Sequence, residues 1–269
     1  MLFAVDVGNT SVKFGVFGPD GRPVLRGKAE AARTRSADEY AVLFGSILAL
    51  HGHTASELTA GIVGSVVPPL TGTVCAAVER LCGVRPLEVG PGVRTGLNIR
   101  VDLQSQLGAD IVANAVAAVS LAAPPLLVAD FGTATTFTVI NRQGGLEGVV
   151  ICPGLRVSQE ALARGGAELP DVPLTPPHRL IGKNTRESMQ SGVIYGHAAM
   201  TDGLIARLRE ELGEPGLPVL ATGGLAAAVL PCCREQLRHL PDLTLLGLYQ
   251  IWRRQPAGPP GTARRASPV

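Results

Sequence analysis

Two acidic residues, Asp6 and Asp130, each end an apolar run and begin a short loop of small and polar residues. The first loop reads DVGNTS over residues 6–11, and the second reads DFGTATT over residues 130–136. A strand-like run precedes each loop, and a β-rich segment ending in a Gly-containing turn follows it. The order strand, acidic loop, strand, turn and strand therefore occurs twice, about half a chain apart, which predicts a duplicated unit.

These loops have the composition expected for contacts with phosphate. Glycine at a hairpin tip lets the backbone approach a phosphate, and the flanking N–H groups and Thr hydroxyls donate hydrogen bonds to its oxygens. An Asp at the strand end holds the accompanying cation. An ordinary β-hairpin turn prefers the same residues, so one loop alone would be a weak signal. Because the loop recurs with matched strands, we expect each copy to bind one end of a polyphosphate.

The chain length and charge limit the functional classes. With 269 residues the chain is long enough for two modest lobes with separate cores, and we expect a cleft between them. The 24 basic and 22 acidic side chains leave a net charge of +2, and the basic residues are scattered apart from two Arg pairs near the end. This pattern argues against a nucleic-acid-binding surface.

The cysteines and apolar segments predict a soluble cytoplasmic protein. The five cysteines have no zinc-like spacing, and the vicinal pair Cys232-Cys233 is a poor start for a disulfide framework. The run before Asp6 leaves no room for a signal peptide. Apolar stretches such as residues 111–123 are too short to cross a membrane.

The first half has the element order of an RNase H-like lobe. After three strands, a helix follows Ser36 or Asp38, either of which is a plausible N-cap, and continues to about Leu50. A β-branched strand over residues 60–67 and a helix over residues 70–82 complete the order βββαβα.

The second half begins after an Ala- and Val-rich helix over residues 111–123, with Asp110 at its start. It contains a predicted helix over 187–212, a strand over 218–221 and a last helix over 245–254. We therefore predict an α/β protein with an N-terminal RNase H-like lobe over residues 1–118 and a C-terminal one over 119–254. The tail over 255–269, rich in Pro, Gly and Arg, is expected to be disordered.

Two RNase H-like halves with paired phosphate loops resemble the superfamily of acetate and sugar kinases, Hsp70 and actin, the actin-like ATPases. Within it, about residues 1–254 resemble the type III pantothenate kinases. The resemblance is carried, in order, by the strings DVGNTS (6–11), SVVPP (65–69), VGPGVRTGL (89–97), GAD (108–110), DFGTATT (130–136), PG (153–154), IGKNT (181–185), MQSG (189–192), TGG (222–224) and LTLLGL (243–248). It implies an ATP-dependent kinase that converts pantothenate into 4'-phosphopantothenate, the first step of coenzyme A biosynthesis.

On the nucleotide side, the resemblance implies that one ATP phosphate loop consists of Asp6, Val7, Gly8, Asn9, Thr10, Ser11, Val12 and Lys13. Asp6 would lie near Mg²⁺, while Asn9 and Thr10 would donate to phosphate oxygens. Thr133 matches the second ATP contact, and Asp130 matches the ligand of a monovalent cation, K⁺ or NH₄⁺. Each Asp could instead stabilise its own turn. Residues 222–224 would lie near the adenosine, although they also suit a strand-to-helix turn.

On the acceptor side, the resemblance implies a substrate site formed by Gly108, Ala109, Asp110, Ile111 and Thr185. Asp110 matches the base that accepts the proton of the pantothenate hydroxyl as it attacks the γ-phosphoryl group. Asp110 could instead be the N-cap of its Ala-rich helix, and Thr185 could equally be an N-cap.

Two departures from the family lie on this side. Ile111 stands where the family commonly has Arg, and Arg164-Gly165-Gly166 replaces a pair that is often polar. Substrate affinity or identity is thus less secure than ATP binding. One alternative is a weakened family member that acts as a regulatory or accessory protein, and another is a kinase for a sugar or other polyol. The resemblance also implies a homodimer.

Other reactive side chains have no pattern typical of a site. His51, His53 and His197 lack partners at metal or catalytic-triad spacing, which favours structural or solvated roles. Cys232 and Cys233 lack the C-x-x-C spacing of a redox motif and are expected to be a buried pair at a helix end.

Overall fold

The computed structural model describes residues 1–165 and 172–256. These residues form two compact units, each with its own five-stranded sheet. Of the described residues, unit 1 contains Met1–Leu97, Asp102–Ser120 and 243–256, and unit 2 contains Asn98–Val101, 121–165 and 172–242. Residues 166–171, which include Gly166 and the segment 167–170, and the tail from residue 257 lie outside the described residues.

Unit 1 alternates strands and helices in the predicted order. Its elements are β1 (Leu2–Val7), β2 (Ser11–Phe17), β3 (Pro23–Glu30), α1 (Ala37–Leu50), β4 (Ala60–Ser65), α2 (Pro68–Cys82), β5 (Leu87–Glu88) and α3 (Ala109–Leu121). Ser36 is the N-cap of α1 and forms a capping box with Glu39. Pro68 and Pro69 begin α2 rather than precede it, because the first turn of a helix does not need their missing N–H groups.

Unit 2 has the same order with one additional helix before its fourth strand. Its elements are β6 (Leu126–Phe131), β7 (Ala134–Ile140), β8 (Leu146–Pro153), α4 (Leu155–Gly165), α5 (Thr185–Leu212), β9 (Val219–Thr222), α6 (Ala226–Val229) and β10 (Arg238–His239). The last helix, α7 (Leu243–Arg253), belongs to unit 1. No helix in the described part of the chain is both long and apolar enough to cross a membrane.

The two sheets have the same topology. The strand order is β3-β2-β1-β4-β5 in unit 1 and β8-β7-β6-β9-β10 in unit 2. In unit 1, β1 and β3 pair antiparallel with β2, β4 pairs parallel with β1, and β5 pairs parallel with β4. The corresponding strands of unit 2 pair in the same way. Even the register shift recurs, at Val16/Phe17 and at Val139/Ile140. The predicted duplication of an RNase H-like α/β unit is therefore confirmed.

Strand alternation assigns each side of the first sheet to a different partner. Phe3 and Phe14 project to one side, where they meet Phe44 of α1 at centroid distances of 5.5 and 5.0 Å. Phe17 lies on the opposite side and stacks on Tyr249 of α7 at 5.0 Å. Both faces of the sheet are thus covered by helices, as its central strand β1, buried at all six residues, requires.

The position of α7 differs from the expected lobe boundaries. We expected this helix in the second lobe, but it packs on β1, β2 and β4 of unit 1. The physical reason is the second face of the first sheet, which needs an apolar cover that α1 and α2 do not supply. A second difference is the segment Asn98–Val101, which belongs to unit 2 because its backbone bonds to Leu146.

A buried hydrogen bond joins α7 to α3. The Thr244 hydroxyl donates to Asn114 Oδ1 at 2.8 Å, and both side chains are almost fully buried. We predict that Thr244→Val lowers the free energy of unfolding by about 1–3 kcal/mol, because the Asn114 oxygen loses a buried donor. Thr244→Ser keeps the hydroxyl and should lose about 1 kcal/mol or less. Urea unfolding measures both, and equal stability of the two variants would contradict the assignment.

Candidate active site

The first loop is a tight connection between β1 and β2. Val7 and Val12 form the last strand pair, and Gly8 N–H donates to Ser11 O at 3.0 Å to close the turn. Asn9 and Thr10 are exposed at the tip. The hairpin therefore presents backbone and polar side-chain groups to solvent, as the phosphate-loop prediction requires.

Asp6 lies in a row of side chains that crosses the first sheet. It is paired with Lys13 on β2 and with Gly64 on β4. Paired residues project to the same face, so the three positions are neighbours on the side opposite the aromatic cluster of Phe3 and Phe14. Asp6 is only 8% exposed, and its cross-strand neighbour on β2 is a lysine.

The start of α3 lies over this row. A Cβ atom placed on Gly64 would be 3.5 Å from the Ala109 Cβ, which brings Asp110 to the same face. Asp110 Oδ1 accepts a hydrogen bond from Ile111 N–H at 2.8 Å. Burial raises the pKa of the Asp110 carboxyl above its ordinary value, although the Ile111 N–H and the charge of Lys13 act in the opposite direction. Unit 1 thus brings two carboxylates and one ammonium group together.

Gly108 is required by the position of Asp110. A Cβ atom at residue 108 would lie 2.3 Å from Asp110 Oδ1 and 3.0 Å from a methyl group of Val66. Any side chain here would displace the carboxylate. The glycine of the Gly-Ala-Asp string is therefore required for steric reasons in this chain.

Asp110 is not the N-cap of α3. It is the second residue of the helix, and the first turn is closed by Val112 N–H, which donates to Gly108 O. Ile111 is buried, so an Arg at this position would have to bury its charge with a partner. Arg164 forms an ion pair with Glu160 on α4.

The second loop has the same plan with one residue fewer. Three residues, 132–134, lie between the last strand pair Phe131 and Thr135, whereas four residues, 8–11, lie between Val7 and Val12. Gly132 N–H donates to Ala134 O at 3.0 Å, and Thr133 is exposed at the tip. Thr133 therefore has a position comparable to that of Asn9 and Thr10.

The two acids differ in their neighbours across the strands. Asp130 is paired with Thr136 on β7 and Thr222 on β9, where Asp6 has Lys13 and Gly64. The Thr222 side chain is fully buried, and its Oγ1 has no hydrogen-bond partner among the described residues. In unit 2, therefore, the two cross-strand neighbours of Asp130 are hydroxyl side chains, and neither of these two positions holds a lysine.

Two glycines approach the second loop closely. Gly223 has a φ of 99°, and a Cβ atom there would lie 2.5 Å from Asp130 Oδ1. A Cβ atom at Gly154, which follows β8, would lie 2.1 Å from Thr133 O. The TGG and PG strings therefore bring backbone against the loop, and neither Gly223 nor Gly154 has room for a side chain.

Thr185 lies at the start of α5 in unit 2, whereas Asp110 lies in unit 1. The N-cap of α5 is Asn184, whose Oδ1 accepts from Glu187 N–H at 2.9 Å. The alternative that Thr185 caps this helix is therefore wrong. Its exposed hydroxyl is the first helical side chain and stays a predicted substrate contact.

His197 was expected to be structural or solvated, and the structure buries it beside the second loop. Its Nε2 lies 2.8 Å from the hydroxyl of Thr135, a fully buried residue at the end of that loop. Burial lowers the pKa of His197, so the imidazole is neutral at neutral pH. This contact has no local sequence signal, because the two residues are distant along the chain.

The remaining candidates have no site of their own. All five cysteines are free, and burial raises the pKa of Cys233 to about 12, which makes its thiol unreactive. Within residues 1–165 and 172–256, no cluster of three or more His, Cys, Asp or Glu side chains could hold a metal ion. His53 pairs with Glu57 at a distance of 3.0 Å.

Solved structures support the fold assignment. A structure from Campylobacter jejuni, described as a Baf family transcriptional activator, has a TM-score of 0.57 and 15% identity, covering 93% of this chain and 97% of that one. At this identity the likeness concerns the fold alone.

Sequence relatives are much more similar. The family model described as type III pantothenate kinase matches residues 2–207. The type III pantothenate kinase of Myxococcus xanthus is 43% identical over 96% of this chain and 100% of its own length. That of Bacillus cytotoxicus is 40% identical over 94% of this chain and 96% of its own length. The chain therefore belongs to the type III pantothenate kinase family.

Proposed function

We propose that this chain carries out the reaction of its family, the ATP-dependent phosphorylation of pantothenate to 4'-phosphopantothenate at the start of coenzyme A biosynthesis. The observation that carries the proposal is Asp110. It is a largely buried carboxylate with a raised pKa, held at the start of α3 beside Lys13. Burial makes the carboxylate a stronger proton acceptor than an exposed Asp, which is what a general base needs.

In the proposed reaction, Asp110 accepts the proton of the primary hydroxyl of pantothenate. The hydroxyl oxygen then forms a bond to the γ-phosphorus of ATP, and the bond from that phosphorus to the bridging oxygen of ADP breaks. Such transfers depend mainly on positioning and on neutralising charge, so one base with several donors is sufficient. Gly108 and Ala109 keep the carboxylate in place, and Thr185 contributes a hydroxyl to acceptor binding.

The loop residues Asp6 to Lys13 and Thr133 are proposed to bind the phosphates of ATP. Gly8 and Gly132 begin loops whose tips have exposed polar groups, and both are closed by backbone hydrogen bonds of 3.0 Å. Preformed loops lose little entropy on binding, which favours affinity. Lys13 adds a positive charge next to Asp6.

The residues of unit 1 fit a magnesium ion that arrives with the nucleotide. Mg²⁺ is commonly held by one or two carboxylates together with substrate phosphates and water. Asp6, which is only 8% exposed, supplies such a carboxylate. When bound, Mg²⁺ neutralises charge on the transferred phosphoryl group.

The residues of unit 2 fit a monovalent cation. Asp130 supplies a carboxylate, and the Thr222 hydroxyl is a buried oxygen without a protein partner in the described chain. Oxygen ligands are what hard cations prefer, and Gly223 brings the backbone against Asp130. When bound, K⁺ or NH₄⁺ would offset phosphate charge in unit 2, which is the role proposed for Lys13 in unit 1.

Ile111 bears on how the acceptor is bound. The apolar side chain offers no charge to pantothenate, so we propose that Lys13, whose charge acts on Asp110, helps to hold the acceptor. Loss of a charge-assisted contact costs about 1.5–3 kcal/mol, so a KM for pantothenate roughly tenfold or more above that of Arg-containing relatives is consistent with this sequence. We also propose that the enzyme works as a homodimer in the cytoplasm, where its five free cysteines stay reduced.

The proposed base can be tested with Asp110→Asn and labelled ATP. The amide is nearly isosteric but cannot accept the proton, so kcat should fall by about 10²-fold or more while ATP binding stays close to that of the parent. Pantothenate, sugars and other polyols serve as acceptors, and only pantothenate should be phosphorylated efficiently. A kcat within a few-fold of the parent would remove Asp110 from the role of base, and efficient transfer to a sugar would contradict the substrate assignment.

The same variant should be more stable than the parent at neutral pH. Because the folded-state pKa of Asp110 is raised, the fold penalises the carboxylate above that pKa and does not penalise it below the unfolded pKa. Asp110→Asn removes the charge, so its advantage in unfolding free energy should be largest near pH 7 and vanish in acid. Thermal unfolding between pH 3 and 8, about the range set by ordinary Asp values, measures it. A variant less stable than the parent at pH 7 would contradict the assigned burial of charge.

The cation assignment predicts that activity requires K⁺ or NH₄⁺. Asp130→Ala should lose both activity and the cation response, because the main anionic ligand is gone. Thr222→Val should keep activity at high K⁺ but need roughly tenfold more of it, since only a neutral ligand is lost. The measurements are initial rates and the thermal shift of the protein with nucleotide in K⁺ against Na⁺. Equal activity of the parent in a sodium-only buffer would contradict the site.

A further inference from the structure

His197 contacts the residues on both sides of the second loop. Its Nε2 lies 2.8 Å from Thr135 Oγ1, and its ring centroid lies 6.1 Å from that of Phe131. Phe131 and Thr135 are the last strand pair before the loop. The two residues that flank the loop tip carrying Thr133 therefore both contact the imidazole of His197.

The three contacting side chains are removed from solvent. Thr135 is fully buried, Phe131 is 1% exposed and His197 is 6% exposed. A buried hydroxyl needs a hydrogen-bond partner, and for Thr135 the imidazole is that partner. The bond joins α5 to β7, so the position of the loop depends on the helix behind it.

We propose that His197 is a positioning residue for nucleotide binding, which holds the second phosphate loop in its binding-competent form through Thr135 and Phe131. The inference rests on the proposed function, since the loop is taken to bind ATP phosphates. A loop that must be ordered during binding loses affinity, whereas a loop held in advance does not. His197 thus acts on ATP affinity without touching the nucleotide.

Thr201 provides a matched control on the same helix. It is fully buried, and its hydroxyl donates to His197 O at 2.9 Å. This bond lies within α5 and does not reach the loop. Thr201→Val therefore removes a buried hydroxyl close to His197 without changing the contact between His197 and Thr135.

The test compares His197→Phe and Thr135→Val with Thr201→Val. The first two should raise the KM for ATP about five- to tenfold, the effect of one buried hydrogen bond, while the KM for pantothenate stays within about twofold. Thr201→Val should lower the melting temperature but leave the KM for ATP within about twofold of the parent. The same ATP effect in Thr201→Val would show a general loss of packing and overturn the proposal.

Conservative variants and the double variant separate positioning from simple destabilisation. His197→Gln and Thr135→Ser keep hydrogen-bonding groups and should recover most of the ATP affinity. Because the two residues act through one bond, the double variant His197→Phe/Thr135→Val should bind ATP about as well as the weaker single variant. Multiplied effects in the double variant, or no recovery in either conservative variant, would contradict the proposal.

Binding of a non-hydrolysable ATP analogue, measured by calorimetry, tests the inference independently of turnover. A parent protein that binds the analogue but does not phosphorylate pantothenate would contradict the proposed function. A parent that does both, with His197→Phe matching its affinity for the analogue, would overturn only the role of His197. If His197→Phe does not fold, Thr135→Val tests the loss of the bond and His197→Gln tests its recovery.

Discussion

The alternation of side chains along β1 and β6 is the constraint on which the two half-sites depend. Residues at odd positions of β1, such as Phe3 and Val5, enter the aromatic core, so Asp6 must project to the opposite face. A register slip by one residue would bury the carboxylate in that core. The same alternation in β6 separates Asp130 from Ala129 and Phe131, which belong to the core of unit 2.

The two units share one sheet topology but differ in the side chains next to the acidic residue. Both units have one strand order, one register shift and one acidic strand end. The neighbours of the acid diverged: Lys13 next to Asp6 is a fixed ammonium, whereas Thr136 and Thr222 next to Asp130 are hydroxyls. A fixed charge in one unit and oxygen ligands in the other are two ways to offset the charge of a polyphosphate. This difference explains why a cation is proposed in unit 2.

Local sequence patterns predicted most of the fold. The loops at Asp6 and Asp130, the strands around them and the order βββαβα follow from short-range periodicity and turn composition, and all are present. The helix α7 was recognised as a helix but assigned to the wrong half, because its periodicity does not identify the sheet that it covers. Local patterns also allowed Thr185 to be the N-cap of α5, whereas the structure identifies Asn184 as the cap.

Only those residues of the candidate site that lie within one short sequence motif could be predicted from the sequence. Asp110 could be found because Gly108 and Ala109 precede it, whereas its raised pKa and its proximity to Lys13 depend on packing between distant segments. His197 had no local signal, since its partner Thr135 is fixed by the tertiary fold.

The most direct test of the account is the product formed from ATP and pantothenate, identified by phosphorus NMR and mass spectrometry. The account predicts one new phosphate monoester, on the primary hydroxyl of pantothenate, formed in equal amount with ADP. A protein that binds ATP but yields no such monoester, or that phosphorylates the secondary hydroxyl, would contradict the assignment of this chain as a working pantothenate kinase.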